Sequence, residues 1–291
     1  MFHVICNPIA GRGRTARYRR TLVALLQQNN IPHRFYESQG PGDATRLARR
    51  LTEGRTEVCD IVAMGGDGTL NEVLNGIADP GRARLGILPC GSGNDFAAVA
   101  GIPAGAKGAL DVLLNCQARF TDYLECDGVR GINVIGTGID VDILRRYGRM
   151  KLLKGSPAYL ASLVLTLFSF RAKRFNVVSD GKAQPHRAFI ACAGNGRRIG
   201  GGITVCPEAL LDDGLMDVVI VDDIPRRRMP WAFVTLMKGR ILSLSTTDFR
   251  RVSRLCLESE EPMPIQIDGE IHEGLPFDVR VVSGKLRVYR P

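Results

Sequence analysis

Short apolar runs alternate with amphipathic, helix-length stretches through the first 120 residues. Phe2 to Cys6 is an apolar strand followed by a glycine-rich loop. Arg14 to Asn29 places Leu22, Leu25 and Leu26 on one face, which predicts a helix. Phe35-Tyr36 marks a second strand, and Asp43 opens a helix that stops at Gly54. Val58 to Met64 predicts a third, buried strand; Gly65 to Gly68 follow it, and Thr69 can cap the next helix. Leu85 to Leu88 predicts a fourth strand, ended by Pro89, then a polar glycine loop and a short helix from Asp95. Strands alternating with helices predict a parallel sheet, and ligands of such sheets gather at the carboxyl ends of the strands. All three glycine-rich loops fall on that edge.

After Thr121 the pattern changes to short β runs: Gly131 to Ile135, Phe175 to Ser179, Ala188 to Ala193, Leu215 to Val221, Ser253 to Leu257, Ile265 to Ile267, Phe277 to Val282 and Leu286 to Tyr289. These predict an antiparallel β-sandwich. Two helices interrupt it, one over Lys151 to Phe170 with Leu152, Tyr159, Leu163 and Leu167 on one stripe, the other over Arg226 to Lys238. The expected organisation is a Rossmann-like α/β domain over 1–120 and a β-sandwich domain over 121–291, with the last few residues free to return to the first domain.

Composition adds a charge signature. The chain of 291 residues carries 39 Lys+Arg against 30 Asp+Glu, a net charge of +9, which suits phosphates or anionic headgroups. The excess is local: Arg12, Arg14, Arg17, Arg19 and Arg20; Arg145, Arg146, Arg149, Lys151 and Lys154; and Arg226 to Arg228. Aromatic residues do not interleave with these clusters, so a nucleic-acid partner is not expected. None of the eight cysteines forms a C-x-x-C pair, and they read as buried free thiols of a reducing compartment. The four histidines are dispersed, so no zinc site is expected. No signal peptide is visible, and the longest apolar run, Ala158 to Phe170, is shorter than the ~20 residues a bilayer span takes. The expectation is a cytoplasmic protein that touches a membrane only peripherally, at its inner face.

Three loops carry the candidate chemistry. Gly65-Gly-Asp-Gly-Thr-Leu-Asn71 follows a buried strand; its glycines let main-chain amides approach a phosphate, and the following helix start adds a favourable dipole. Asp67 is placed there for magnesium or a proton, although a plain glycine turn would look similar. Gly91-Ser-Gly-Asn-Asp-Phe96 offers Ser92 to a phosphate, with Asn94 or Asp95 equally able to cap a helix. Asn7-Pro-Ile-Ala-Gly-Arg-Gly13 adds Arg12 and Arg14; its Gly11-x-Gly13-x-x-Ala16 also fits the loose dinucleotide fingerprint, with Glu37 as ribose partner. A Walker-type phosphate loop is absent from the sequence.

Taken in order, these loops resemble the diacylglycerol kinase catalytic family, which includes bacterial lipid kinases and sphingosine and ceramide kinases. The resemblance extends to Gly194-Asn-Gly-Arg197, Leu211-Asp-Asp-Gly-Leu215 and Asp268-Gly-Glu270. The G-G-D-G-T element is shared with NAD kinases, so a kinase of a soluble acceptor is the alternative, followed by an NAD(P)-dependent oxidoreductase. The resemblance implies a two-domain enzyme, ATP- and Mg2+-dependent, that phosphorylates a lipid hydroxyl. It implies that ATP is held by Asn7, Arg12, Ser38, Gly65, Gly66, Asp67, Gly68, Thr69, Leu70, Asn71 and Ser92. Arg12 stands where the family has Lys, which keeps the charge and alters the geometry. Glu270 would be the base, with Asp268 and Asp67 as further catalytic residues. Asp213, with the carbonyls of Leu210 and Leu215, would hold a structural magnesium. Implied partners are a lipid alcohol and a membrane surface, with a homodimer allowed. Asp268-Gly269 by itself also reads as an ordinary hairpin turn.

Overall fold

The computed structural model describes residues 1–149, 156–179 and 182–291; the side chains of Arg12, Ser156, Phe168 and Ser179 are outside that description, as are Lys151, Leu152 and Lys154. The chain divides into two compact units, Met1–Asp122 with Ser283–Pro291, and Tyr123–Val282.

The first unit runs β1 (Phe2–Cys6), α1 (Arg14–Gln28), β2 (His33–Glu37), α2 (Asp43–Thr52), β3 (Cys59–Gly65), α3 (Asp67–Gly76), β4 (Ala83–Pro89), α4 (Asp95–Val99), α5 (Ala106–Asn115) and β5 (Ala118–Phe120). The sheet order is β2-β1-β3-β4, all parallel. β3 and β4 are buried almost throughout, so they read as nearly continuous apolar runs rather than alternating ones. Helix α5 was not predicted from the sequence; Gly105 and Gly108 weaken its pattern, yet Leu110 and Leu113 are buried in this unit.

The run over Leu286 to Tyr289, read among the sandwich strands with the last residues free to return to the first domain, does return to it. Arg287–Tyr289 lies parallel to β4, with Arg287 opposite Arg84 and Val288 opposite Leu85, and β5 runs antiparallel on its far side. The reason is a polar lock beside an open sheet edge. Arg84 grips both oxygens of Asp60 and the Tyr289 hydroxyl donates to Asp60 Oδ1 at 2.8 Å, while Val288 is fully buried.

The second unit runs β6 (Tyr123–Cys126), β7 (Val129–Gly131), β8 (Val134–Gly138), α6 (Ile139–Arg149), α7 (Ser156–Ser169), β9 (Lys173–Ser179), β10 (Lys182–Gly194), β11 (Arg198–Ile199), β12 (Ile203–Thr204), β13 (Met216–Asp222), α8 (Met229–Met237), β14 (Thr247–Val252), β15 (Arg254–Glu258), β16 (Ile265–Ile267), β17 (Glu270–His272) and β18 (Phe277–Val282). Its main antiparallel sheet has the order β17-β16-β8-β10-β9-β15-β18-β6-β7, with β13 pairing β10 and β14. Alternation sorts its side chains into two cores. Met216, Val218 and Ile220 of β13 join Ile135, Ala191 and Ile265 on one face; Val219 and Val221 join the α6, α7 and α8 side chains on the other. The expected helix over Arg226 to Lys238 is a 3-10 turn, Arg226–Arg228, running into α8. Helix α6 was not predicted; Asp140 and Asp142 in its first turn and Arg146 and Arg149 in its last complement the helix dipole.

Candidate active site

In the first unit the three glycine loops are tied to one another through main-chain atoms. β1 delivers Asn7, whose amide nitrogen donates to Met64 O at 3.0 Å and whose side-chain Nδ2 donates to Thr69 Oγ1 at 3.2 Å. Gly11 sits at φ +60°, and a Cβ there would lie 2.0 Å from Cys90 O, so only glycine lets the first loop approach the third. Arg14 stitches the same pair, donating from Nε to Gly11 O at 3.0 Å and from Nη2 to Gly91 O at 3.1 Å. Cys90 N donates to Gly65 O at 2.7 Å, and a Cβ on Gly91 would fall 2.5 Å from Gly66 Cα.

Helix α3 starts at Asp67 with Gly66 as its N-cap and no side-chain cap. The expected cap, Thr69, lies inside the first turn, buried, with its hydroxyl engaged by Asn7. The helix start therefore presents main-chain donors with the glycines beside them, the arrangement that receives phosphate. Leu70 and Asn71 are buried; the Leu70 amide closes the first turn on Gly66 O, and Asn71 Oδ1 accepts from Asn75. Gly68 and Ser92 are exposed, and Ser38, buried just after β2, donates from its amide to Cys6 O at 2.9 Å. Asp67 Oδ2 accepts the Asn94 amide at 2.7 Å, with the Asp95 and Phe96 amides also holding the carboxylate. Burial pushes the Asp67 carboxyl above its ordinary range, and these amides pull it back. Asp67 thus caps α4 and latches the second loop to the third.

In the second unit β16 and β17 form a two-residue hairpin, with Ile267 opposite Glu270. Asp268 (φ +50°) and Gly269 (φ +93°) take the two left-handed positions that such a turn requires. The Asp268 carboxylate accepts three amides, Ile132 at 2.8 Å, Asn133 at 2.9 Å and Val134 at 3.0 Å. The hairpin reading and the functional reading of Asp268-Gly-Glu270 are therefore compatible: the turn is clamped, and it carries Glu270. That side chain is exposed and meets no hydrogen-bond or ion-pair partner among the described residues.

The loop from Leu210 to Leu215 folds around Gly214 at φ +74°, with Leu215 N donating to Asp213 Oδ1 at 3.1 Å. One exposed carboxylate with a remaining oxygen, plus main-chain carbonyls, is an all-oxygen donor set that fits a hydrated magnesium. Among the described residues no cluster of three His, Cys, Asp or Glu side chains could hold a metal by itself.

A cavity opens between the sheet and helices α6, α7 and α8, lined by Ile143, Tyr159, Leu163, Phe189, Ala232 and Leu236 among others. Among the described residues its one lining carboxyl group is Asp140. Asp140 Oδ1 accepts the Val141 amide at 2.9 Å, while Oδ2 is buried without a hydrogen-bond partner among the described residues. Burial pushes this carboxyl up to about 7, and the bond from the Val141 amide opposes the shift.

The family model described as the diacylglycerol kinase catalytic domain matches residues 1–126, and that described as the YegS C-terminal NAD kinase beta sandwich-like domain matches 133–290. A protein of Xanthomonas euvesicatoria named "Probable lipid kinase YegS-like" is 34% identical over 94% of this chain and 91% of its own length. The chain belongs to the YegS-like lipid kinase family.

A Pseudomonas aeruginosa protein of the same name is 37% identical over 86% of this kinase and 82% of its own length. A Staphylococcus haemolyticus diacylglycerol kinase is 26% identical, covering 99% and 87%. The fold matches the crystal structure of a diacylglycerol kinase from Bacillus anthracis, with a TM-score of 0.74 at 20% identity, covering 100% of this chain and 96% of that one. Membership sets aside the oxidoreductase reading. The structure agrees, since Glu37, the supposed ribose partner, is paired with Arg19, and residues Ala10–Gly13 form a 3-10 turn rather than the expected tight strand-to-helix turn. Sequence reasoning passed over Asp140 in this kinase. Its signal, an acidic residue after an apolar β run, is weak until burial is known.

Proposed function

We propose that this kinase transfers the γ-phosphoryl group of Mg-ATP to the hydroxyl of a diacylglycerol-type lipid alcohol whose acyl chain enters the cavity of the second unit. The observation that carries the lipid half is that cavity, walled by aliphatic and aromatic side chains; at about 70 Å³ it opens further to take an acyl chain. A dinucleotide or sugar would leave its own polar groups unpaired there.

The phosphates sit against the α3 start and the amides of Gly66 to Thr69, with Arg12, Ser38 and Ser92 as further donors. Asn7, Gly65, Leu70 and Asn71 hold this cradle in place. Glu270 takes the proton of the acceptor hydroxyl as its oxygen attacks the γ-phosphorus and ADP leaves. Its exposed, unpaired carboxylate on a clamped turn suits that task. Asp67 and Asp268 position these groups through the hydrogen bonds their carboxylates accept from main-chain amides. Asp213 with the Leu210 and Leu215 carbonyls would hold a structural magnesium, whose chemistry is to fix that loop's charge and shape.

The test is incorporation of labelled phosphate from ATP into a panel of lipid alcohols, run beside NAD. The expected result is a labelled lipid that disappears with Glu270→Gln. A labelled NAD with unlabelled lipids would overturn the reading.

A further inference from the structure

We infer that the outer face of helix α8, with the arginine turn before it, is the surface by which this kinase docks on an anionic bilayer. The inference rests on the lipid-substrate reading above and names the partner surface of the same unit.

Helix α8 has two faces with different fates. Met229, Ala232, Phe233 and Leu236 point inward and line the apolar cavity. Trp231, Val234 and Met237, spaced by three, are 55%, 46% and 45% exposed on the other side. Leaving the chain's one tryptophan in water is costly for a soluble surface and ordinary at a membrane interface, where the ring spans the headgroup boundary. The charges flanking this stripe are all of one sign. Arg226, Arg227, Arg228, Lys238 and Arg240 are exposed, and none forms an ion pair among the described residues. No carboxylate occurs from Ile224 to Thr247. Apolar side chains ringed by uncompensated cations match a bilayer bearing acidic headgroups. The helix is thus a thin wall, with membrane on one side and the acyl cavity on the other. Docking through it places the cavity at the source of its lipid. Helix α7 is the weaker candidate: Tyr159 and Leu163 are buried, its exposed apolar residues Leu160 and Leu165 lie five apart rather than on one stripe, and the guanidinium of neighbouring Arg146 is engaged by Thr166 and Ser169.

The experiment uses the whole chain with vesicles of phosphatidylcholine, with and without phosphatidylglycerol. Trp231 is its own reporter, and its emission should shift to the blue only with the acidic vesicles. In co-sedimentation, the triple variant R226Q/R227Q/R228Q should lose about a hundredfold in affinity for them, and W231A/V234S should also lose binding. Raised salt should weaken the wild type. Phosphorylation of a short-chain lipid alcohol dispersed in detergent should stay at the wild-type rate in both variants. Equal binding to neutral and acidic vesicles, or unchanged binding by the variants, overturns the docking face. So does a blue-shifted, concentration-dependent self-association of the wild type without vesicles, which would make the stripe a contact between two copies. Wild-type failure to phosphorylate any dispersed lipid would instead overturn the lipid-kinase reading, whatever the vesicles show.

Discussion

The two units solve one positioning problem with the same device over very different distances along the chain. In the first, Asp67 accepts the Asn94 amide 27 residues away, and both loops belong to neighbouring strand-loop-helix units. In the second, Asp268 reaches back 136 residues to Ile132, joining a late hairpin to an early strand. Each aspartate satisfies orphan main-chain donors and thereby fixes a loop. The difference is what the loop then offers. The first unit presents bare main chain for an anion; the second presents one free carboxylate and, elsewhere, an apolar cavity. In the proposed reaction the first unit contributes the anion cradle and the second the base and the apolar cavity.

The comparison is sharpest at Glu270. Because that side chain is exposed and unpaired, Glu270→Gln should leave the melting temperature unchanged and lower kcat by about 10²–10⁴-fold, the usual range for a lost general base. Unchanged kcat would show that the second unit's free carboxylate is not the base.

Asp268→Ala should act through the fold first. It strands three amides, each costing about 1–3 kcal/mol, so a denaturant titration should show stability lower by about 3 kcal/mol or more. A variant as stable as wild type would break the parallel between the two latches.

Gly91→Ala tests the first unit. A Cβ 2.5 Å from Gly66 Cα forces the two loops apart, at a cost of about 1–3 kcal/mol. The KM for ATP should rise with little change in the KM for lipid.

The effect at Asp140 appears only as the pH is raised. Its folded carboxyl titrates near 7, against about 4 in the unfolded chain. Between those values the folded chain keeps a proton that the unfolded chain releases, so this group lowers stability as pH rises from 4 to 7 and no further above that. Asp140→Asn removes the loss. Its melting temperature should match wild type near pH 4 and exceed it by about 10 °C at pH 8, measured by calorimetry. Equal curves at both pH values would show that Asp140 is not a neutral-pH acid.

What the sequence determined by itself was local. The βα alternation, the three glycine loops and the D-G turn at residues 268 and 269 are written in neighbouring residues, because glycine and short-range periodicity constrain the backbone directly. Only tertiary structure decided that Thr69 is buried under Asn7 instead of capping α3. It alone fixed Arg287–Tyr289 beside β4, buried both faces of the strand Met216–Asp222, and buried Asp140 beside an apolar cavity. Those outcomes depend on partners that lie tens to hundreds of residues away in the chain, where hydrogen-bond satisfaction and burial act without leaving any periodicity to read.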